Sequence, residues 1–265
     1  MKIDINSTAN PKVKWVKSLH NNSARRREGV FLVEGSKEIT YAIDGGFTPI
    51  AFFVCPDIYN EGLSEIDIED IFTISKDVFE KISYRSGSDG IIAIFQSRST
   101  KLDSLNLSSN PSLLVLEAVE KPGNLGAIIR TADGAGIDGV IICDEKTDFF
   151  NPNVIRSSVG LVFTKQIANG TKEEVYDFLQ KHEITAYGAI ISDKSRNYTD
   201  TNFTTPSAII LGTEHDGLSK FWQSRSESIM IPMKGLNDSL NVSNAAAIIS
   251  YELVRQRSNA TENTK

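Results

Sequence analysis

Cysteine and histidine are scarce in this chain. Two cysteines, Cys55 and Cys143, stand far apart, each after an aliphatic run (FFVC and VIIC). That placement reads as buried free thiols at strand ends rather than a disulfide framework. Three histidines without paired spacing offer no histidine-based metal site, and no metal is expected. No apolar run approaches the roughly 18–20 residues that cross a bilayer, and the opening MKIDINSTANPKVKWVKS lacks the apolar core of a signal peptide. The expected location is the cytoplasm, with no membrane partner. Three phosphate- or nucleophile-bearing signatures are also missing. There is no GxGxxG after the first strand, no GxxxxGK[ST] and no GxSxG, which argues against a Rossmann dinucleotide site, a phosphate loop and a hydrolase elbow.

What remains is an ordinary globular composition, 40% hydrophobic and 23% charged over 265 residues, compatible with one or two domains. The net charge of −6 is unevenly spread. Residues 1–40 hold eight basic against four acidic side chains, a net of +4 that leaves −10 for the rest. A cationic head on an acidic body can still dock on phosphates, because the local field decides binding. The competing reading of such a run is a solvated face. KVKWVKSLH (12–20) predicts a short amphipathic helix. RRREG reads as a polar turn, VFLVEG as a strand, and the following stretch as a helix ending at Gly45–Gly46. IAFFVCP, IFTISK, a helix around Asp77–Ser83 and GIIAIFQS continue an alternating α/β pattern to residue 98. The acidic stretch DIYNEGLSEIDIEDI reads as loop or helix. Residues 99–111, rich in Ser and Asn and closed by Pro111, mark a linker. Strands then recur at LLVLEAV, VIIC, TAYGAII, AIILGTE and SIMIPM, among helices at NLGAIIRTADGAG, VIRSSVG, KEEVYDFLQKH and NVSNAAAIISYELVRQR. Short strands apolar on both faces, alternating with helices, predict a mostly parallel sheet covered on both sides. The domain expectation is therefore 1–98, a linker at 99–111, a second domain at 112–258, and a disordered tail at 259–265.

Three loops follow strands in that second domain, where open α/β sheets bind ligands. In EKPGNLGAIIRTADGAG (120–136), Asn124 sits at a helix start and reads as a cap or as a site residue. Arg130 lies among small and apolar residues, so it pairs with a carboxylate or binds an anion. In LGTEHDGLS (211–219), Gly212 and Gly217 let backbone approach a ligand, and His215 reads as an exposed loop residue. In IPMKGLNDSLNVSNAAA (231–247), Ser239, Asn241, Ser243 and Asn244 crowd within six positions at a helix mouth. One cap needs one such residue, and the surplus asks for a second role.

Taken together and in order, NLGAIIRTADGAGI, LGTEHDGLS and IPMKGLNDSLNVSNAAAI resemble the SpoU (TrmH-type) RNA ribose 2′-O-methyltransferases of the SPOUT class. The likeness covers most of residues 113–257. The upstream NPKVKWVKSL, RRREGVFLVEG and α/β pattern look like the substrate-binding domain that many such enzymes carry. The resemblance implies an α/β fold: a C-terminal SPOUT domain whose parallel sheet is threaded as a deep trefoil knot, preceded by a smaller, ribosomal-protein-like α/β domain. It also implies S-adenosyl-L-methionine as cofactor and a homodimer with composite active sites. By motif position it implies a catalytic group of Asn124, Arg130, Glu214, Ser239 and Asn241. The same carry-over gives a cofactor cradle of Leu211, Gly212, Ile231, Met233 and Leu240. The RNA contacts would come from Lys12, Lys14, Arg25, Arg26 and Arg27 of the basic head and from Arg156 and Ser157 of RSSVG. The sequence departs lightly from the family at EHDG, which has His215 and Asp216 where glycine and an acidic residue are common.

The chemistry so implied is consistent with these residues. A ribose 2′-hydroxyl is a poor nucleophile, whereas a sulfonium methyl is already activated, so the site needs in-line positioning and help with a proton. Arg130 would activate the hydroxyl with an RNA phosphate assisting, bind that phosphate, or stabilise the developing alkoxide. Glu214 would orient Arg130 or a backbone turn. Structured ribosomal RNA is the expected substrate, with transfer RNA the alternative and DNA not expected. Two readings from other classes are an inactive RNA-binding protein of the same fold and a protein that holds another adenosine-bearing ligand. The intact set of five catalytic-type residues argues against the first.

Overall fold

The computed structural model describes residues 3–60, 70–85, 87–213 and 215–262. Most of the acidic stretch, the residues 263–265 of the expected tail, and Glu214 lie outside the described residues. The chain forms two compact units: Met1–Ser99 with Asp148–Thr164, and Thr100–Thr147 with Lys165–Lys265.

In the first unit the elements run β1 (Ile3–Ile5), α1 (Pro11–Ser18), α2 (Asn22–Glu28), β2 (Val30–Glu34), α3 (Ser36–Asp44), β3 (Pro49–Val54), β4 (Ile71–Ile74), α4 (Lys76–Ile82) and β5 (Ile91–Gln96). The sheet order is β1-β4-β3-β5-β2. It is mixed: β1, β4 and β3 are parallel, while β5 runs antiparallel to both β3 and β2. Helix α1 starts where Asn10 Oδ1 accepts the Lys12 N–H at 2.8 Å and Pro11 takes the first helical position, which needs no donor. Its buried Val13 and Val16, with Leu19, pack on one face of the sheet beside Leu32, Phe53, Phe72 and Ile94. RRRE, expected as a turn, is helical. Ala24 and Arg25 are buried, and the helix ends at Gly29 in the left-handed region, φ 64.

The second unit begins with β6 (Ser112–Glu117), α5 (Pro122–Gly134) and β7 (Gly139–Cys143). After α6 (Pro152–Ser157), which belongs to the first unit, it continues with β8 (Gln166–Gly170), α7 (Lys172–Lys181), β9 (Thr185–Ala189), β10 (Arg196–Asn197), β11 (Ser207–Leu211), α8 (Lys220–Gln223), β12 (Glu227–Met230) and α9 (Val242–Glu262). Every pairing in its seven-stranded sheet, β10-β12-β9-β11-β6-β7-β8, is parallel. Strands β6, β7 and β11 are buried along their whole length, which is why they lack alternation in the sequence. Helix α7 opens on a capping box, Thr171 Oγ1 accepting from Glu174 N–H (3.2 Å) and Glu174 Oε2 from Thr171 N–H (2.8 Å). Both cysteines are buried and unpaired, Cys143 closing β7 and Cys55 following β3. Helix α9 continues through Glu262, beyond the helix end expected at 257 and into the tail expected to be disordered from 259.

Residues 148–164, expected within the second domain, pack instead with the first. Phe163 is buried, stacked against Phe31 (5.7 Å) and edge-on to Phe47 (5.4 Å), and Phe150 stacks on Phe31 at 4.3 Å. Phe31 lies on the face of β2 opposite Leu32, so this aromatic group covers the side of the sheet that α1 leaves bare.

Candidate active site

A pocket of about 340 Å³ opens in the second unit where β9, β11 and β12 end. Its walls come from the connections that follow β9, β11 and β12 and from the start of α9. Leu211, Gly212, Ile231, Met233 and Leu240 all line it, so the five expected cradle positions converge on one cavity. Ser239 lines it too. Sequence reading did not single out Ile190 and Ile191 after β9, or Leu218 and Val242, which complete the apolar wall. The signal available for the first pair was their place at the carboxyl end of the neighbouring strand.

Gly212 shows why the second loop needs glycine. A Cβ there would lie 2.2 Å from the Gly217 carbonyl atoms and 2.4 Å from Leu218 N. The backbone folds back on itself at this point. Thr213 and Gly217 exchange hydrogen bonds, Thr213 N–H to Gly217 O at 3.1 Å and Gly217 N–H to Thr213 O at 3.2 Å. Asp216 N–H donates to Thr213 Oγ1 (2.9 Å), and Gly217 is left-handed, φ 66. Glu214 lies outside the described residues. His215 is exposed, as expected.

Asn241 resolves the crowding at the mouth of α9. Its Oδ1 accepts Ser243 N–H (2.9 Å) and Ser243 Oγ–H (2.7 Å), which makes it the cap. Its Nδ2 donates to Asn124 Oδ1 at 3.2 Å, across 117 residues of chain. Asn124 is not a cap: Lys121 holds that place, and Asn124 is the third residue of α5. Two expected catalytic residues are thus joined, one from each of two helix starts. Arg130 lies two turns along α5 and is exposed, and its side chain makes no hydrogen bond or ion pair among the described residues. Ser239 is exposed at the pocket rim.

The expected RNA contacts divide. Lys14, Arg26 and Arg27 are exposed, Arg27 beside Glu28 at 2.9 Å. Lys12 is exposed and lies over the Phe72 ring at 4.6 Å. Arg156 is exposed on α6, while the Ser157 hydroxyl donates to Asn153 O (2.6 Å) within its own helix. Arg25 departs from the expectation. Its side chain is 4% exposed, NH1 donates to Leu19 O and His20 O, and NH2 pairs with Asp148 at 2.5 Å. A guanidinium so occupied holds the fold of its own unit and is not offered to a phosphate.

A family model described as the SpoU rRNA methylase family matches residues 111–251, and a model described as an MRM3-like substrate binding domain matches residues 10–93. The 23S rRNA (guanosine(2553)-2′-O)-methyltransferase RlmP of Bacillus subtilis is 29% identical over 94% of this chain and 98% of its own length. A crystal structure of an RNA 2′-O ribose methyltransferase superposes with a TM-score of 0.83 at 33% identity, covering 97% of this chain and 99% of the other. An AdoMet-bound rRNA methyltransferase from Sinorhizobium meliloti superposes with a TM-score of 0.88 at 26% identity, covering 96% and 98%.

Proposed function

Because this chain belongs to the SpoU rRNA methylase family, we propose that it methylates the 2′-hydroxyl of a ribose in structured ribosomal RNA, using S-adenosyl-L-methionine. The observation that carries the reading is the convergence of Leu211, Gly212, Ile231, Met233 and Leu240 on one pocket with Ser239 at its rim. The pocket suits the cofactor: its volume falls within the range of small-molecule sites, about 300–1,000 Å³, and its walls mix aliphatic side chains with polar groups such as Thr213, Asp216, Gln223 and Asp238. The close backbone turn at Gly212 brings the main chain of Gly212, Thr213 and Gly217 to the wall, where its polar groups can meet a ligand.

In this reading S-adenosyl-L-methionine supplies an already activated methyl group, so the protein must position the ribose and manage one proton. Asn241, fixed as a helix cap, and Asn124, fixed by Asn241, present rigid amides beside the pocket. Arg130 holds the phosphate next to the target ribose and stabilises the developing alkoxide, its guanidinium acting as a charge and donor rather than a base. Ser239 takes part at the rim, and Glu214 orients Arg130. The first unit carries the RNA through Lys12, Lys14, Arg26, Arg27 and Arg156, which suits its match to a substrate-binding domain. Ribosomal RNA is favoured over transfer RNA because the RlmP relative is named for 23S rRNA. Action in the cytoplasm goes with that substrate. Among the described residues no helix is long and apolar enough to cross a membrane.

A homodimer is proposed with the activity. Ile248 and Tyr251 on α9 are 36% and 53% exposed, and Leu240 at its start 37%, an apolar face that a second copy would cover. The trefoil threading implied by the resemblance is proposed for the three connections around the pocket. The reaction is tested by transfer of tritium from labelled S-adenosyl-L-methionine to ribosomal and transfer RNA, followed by nucleoside analysis. Label in a 2′-O-methyl nucleoside of ribosomal RNA supports the reading; label confined to transfer RNA, or to a base, contradicts it. Sedimentation at micromolar concentration tests the dimer.

A further inference from the structure

Glu117 is the last residue of β6 and is only 4% exposed, yet none of the three motif loops contains it. Register places Leu116 opposite Leu211 on β11 and Glu117 opposite Cys143 on β7. The Glu117 backbone therefore stands level with Gly212, where the pocket loop leaves the sheet. Immediately after it, Ala118 turns the chain in the left-handed region, φ 51, with its N–H donating to Cys143 O at 2.8 Å. Across 102 residues, Ser219 N–H donates to Glu117 Oε2 at 2.8 Å. Ser219 is the residue at which the Gly212–Ser219 loop ends and α8 begins.

The loop is thus held at two points. The Thr213–Gly217 exchange closes its near part, and Glu117 fixes its far end. Between Gly217 of the first point and Ser219 of the second lies the buried Leu218, which lines the pocket with Gly217. A buried carboxylate at the end of a central strand is costly unless it is hydrogen-bonded. A helix start with an unmet N–H is a natural partner for it. Apolar residues of the same size would complete the core equally well, so packing alone does not account for an acid here.

We propose that Glu117 is a positioning residue: through Ser219 it fixes the geometry of the Gly212–Ser219 loop and thereby sets the affinity of the pocket for S-adenosyl-L-methionine, without touching the reacting atoms. The inference rests on the cofactor reading above. Glu117→Ala is expected to weaken calorimetric binding of S-adenosyl-L-methionine about tenfold or more, raising its KM while kcat at saturation stays within about twofold. Glu117→Gln, which keeps an acceptor of the same length, is expected to restore binding to within about threefold. In the ligand-free protein, amide exchange across 212–219 is expected to accelerate at least tenfold in Glu117→Ala, with β11 unchanged. Ser219→Pro removes the same hydrogen bond from the donor side at φ −61, a value proline adopts, and serves if Glu117→Ala fails to fold. Wild-type affinity, or unchanged exchange across 212–219, in a folded Glu117→Ala or Ser219→Pro variant overturns the proposal. Failure of the wild-type protein to bind S-adenosyl-L-methionine would instead overturn the cofactor reading, and the exchange measurement would still decide the loop clamp.

Discussion

Single residues carry two kinds of role in this protein that the sequence does not separate. Arg25 and Arg26 are neighbours in one basic run, yet Arg25 is buried in an ion pair with Asp148 and Arg26 is exposed. Removing one partner of a buried pair costs about 3–5 kcal/mol. Arg25→Ala is therefore expected to lower the thermal midpoint markedly, whereas Arg26→Ala leaves it within a degree or two and weakens RNA binding. Equal midpoints in a melting experiment would contradict the assignment. Cys143 belongs to the buried class as well. Burial pushes its thiol from the usual 9.0 up to about 12, with the charges of Asp144 and Glu117 adding to the effect. The folded state thus keeps a proton that the unfolded chain loses above about pH 9. Its contribution is present below that pH and is lost as pH rises toward 12. In the native protein at pH 8, iodoacetamide should leave Cys143 unmodified while labelling it in denaturant; rapid native labelling would show the site is open.

At the scale of elements, α9 shows one helix start serving both fold and site. Asn241 caps the helix and also bonds Asn124 on α5, while Val242, Ala246, Ile249 and Leu253 bury one stripe. Asn241→Ala should cost about 1 kcal/mol of stability for the cap and lower methyl transfer by far more than that loss of folded protein explains. A variant with the stability loss but full activity would confine Asn241 to capping. Much of this was legible in advance. Five of the seven strands of the parallel sheet stood out as short apolar runs, and the five cradle positions fell on one pocket. The elements that were not read have physical reasons. Strand β10 is two residues long, β8 (QIANG) carries polar residues, and α8 spans four residues. Helix α2 was masked by its arginines, one of which is buried only because Asp148 arrives from far along the chain. Long-range pairs such as Asn241–Asn124 and Ser219–Glu117 leave no periodic trace.

At the scale of the whole molecule, the chain is not divided where its composition changes. The Ser/Asn-rich stretch expected as a linker packs with unit two from Thr100 on, with Leu102, Leu105 and Leu107 against its core, and residues 148–164 return to unit one with Phe150, Phe163 and Asp148. A fragment of residues 1–99 lacks the aromatic cover over Phe31 and the partner of Arg25. It is expected to be unfolded or molten, with weak near-ultraviolet dichroism and strong dye binding; a sharp cooperative melt of that fragment would contradict the packing described here. The second unit carries the pocket and both linked asparagines, and the basic surface of the first supplies phosphate contacts in the proposed reaction. The most direct test of that reaction is nucleoside mass spectrometry of ribosomal RNA from cells lacking the gene, restored with the wild-type protein or with Arg130→Ala. The account predicts that one 2′-O-methyl nucleotide of ribosomal RNA disappears on deletion, returns with the wild-type protein, and stays absent with a folded Arg130→Ala that still binds S-adenosyl-L-methionine. Full restoration by Arg130→Ala, or an unchanged ribosomal RNA in the deleted cells, would contradict it.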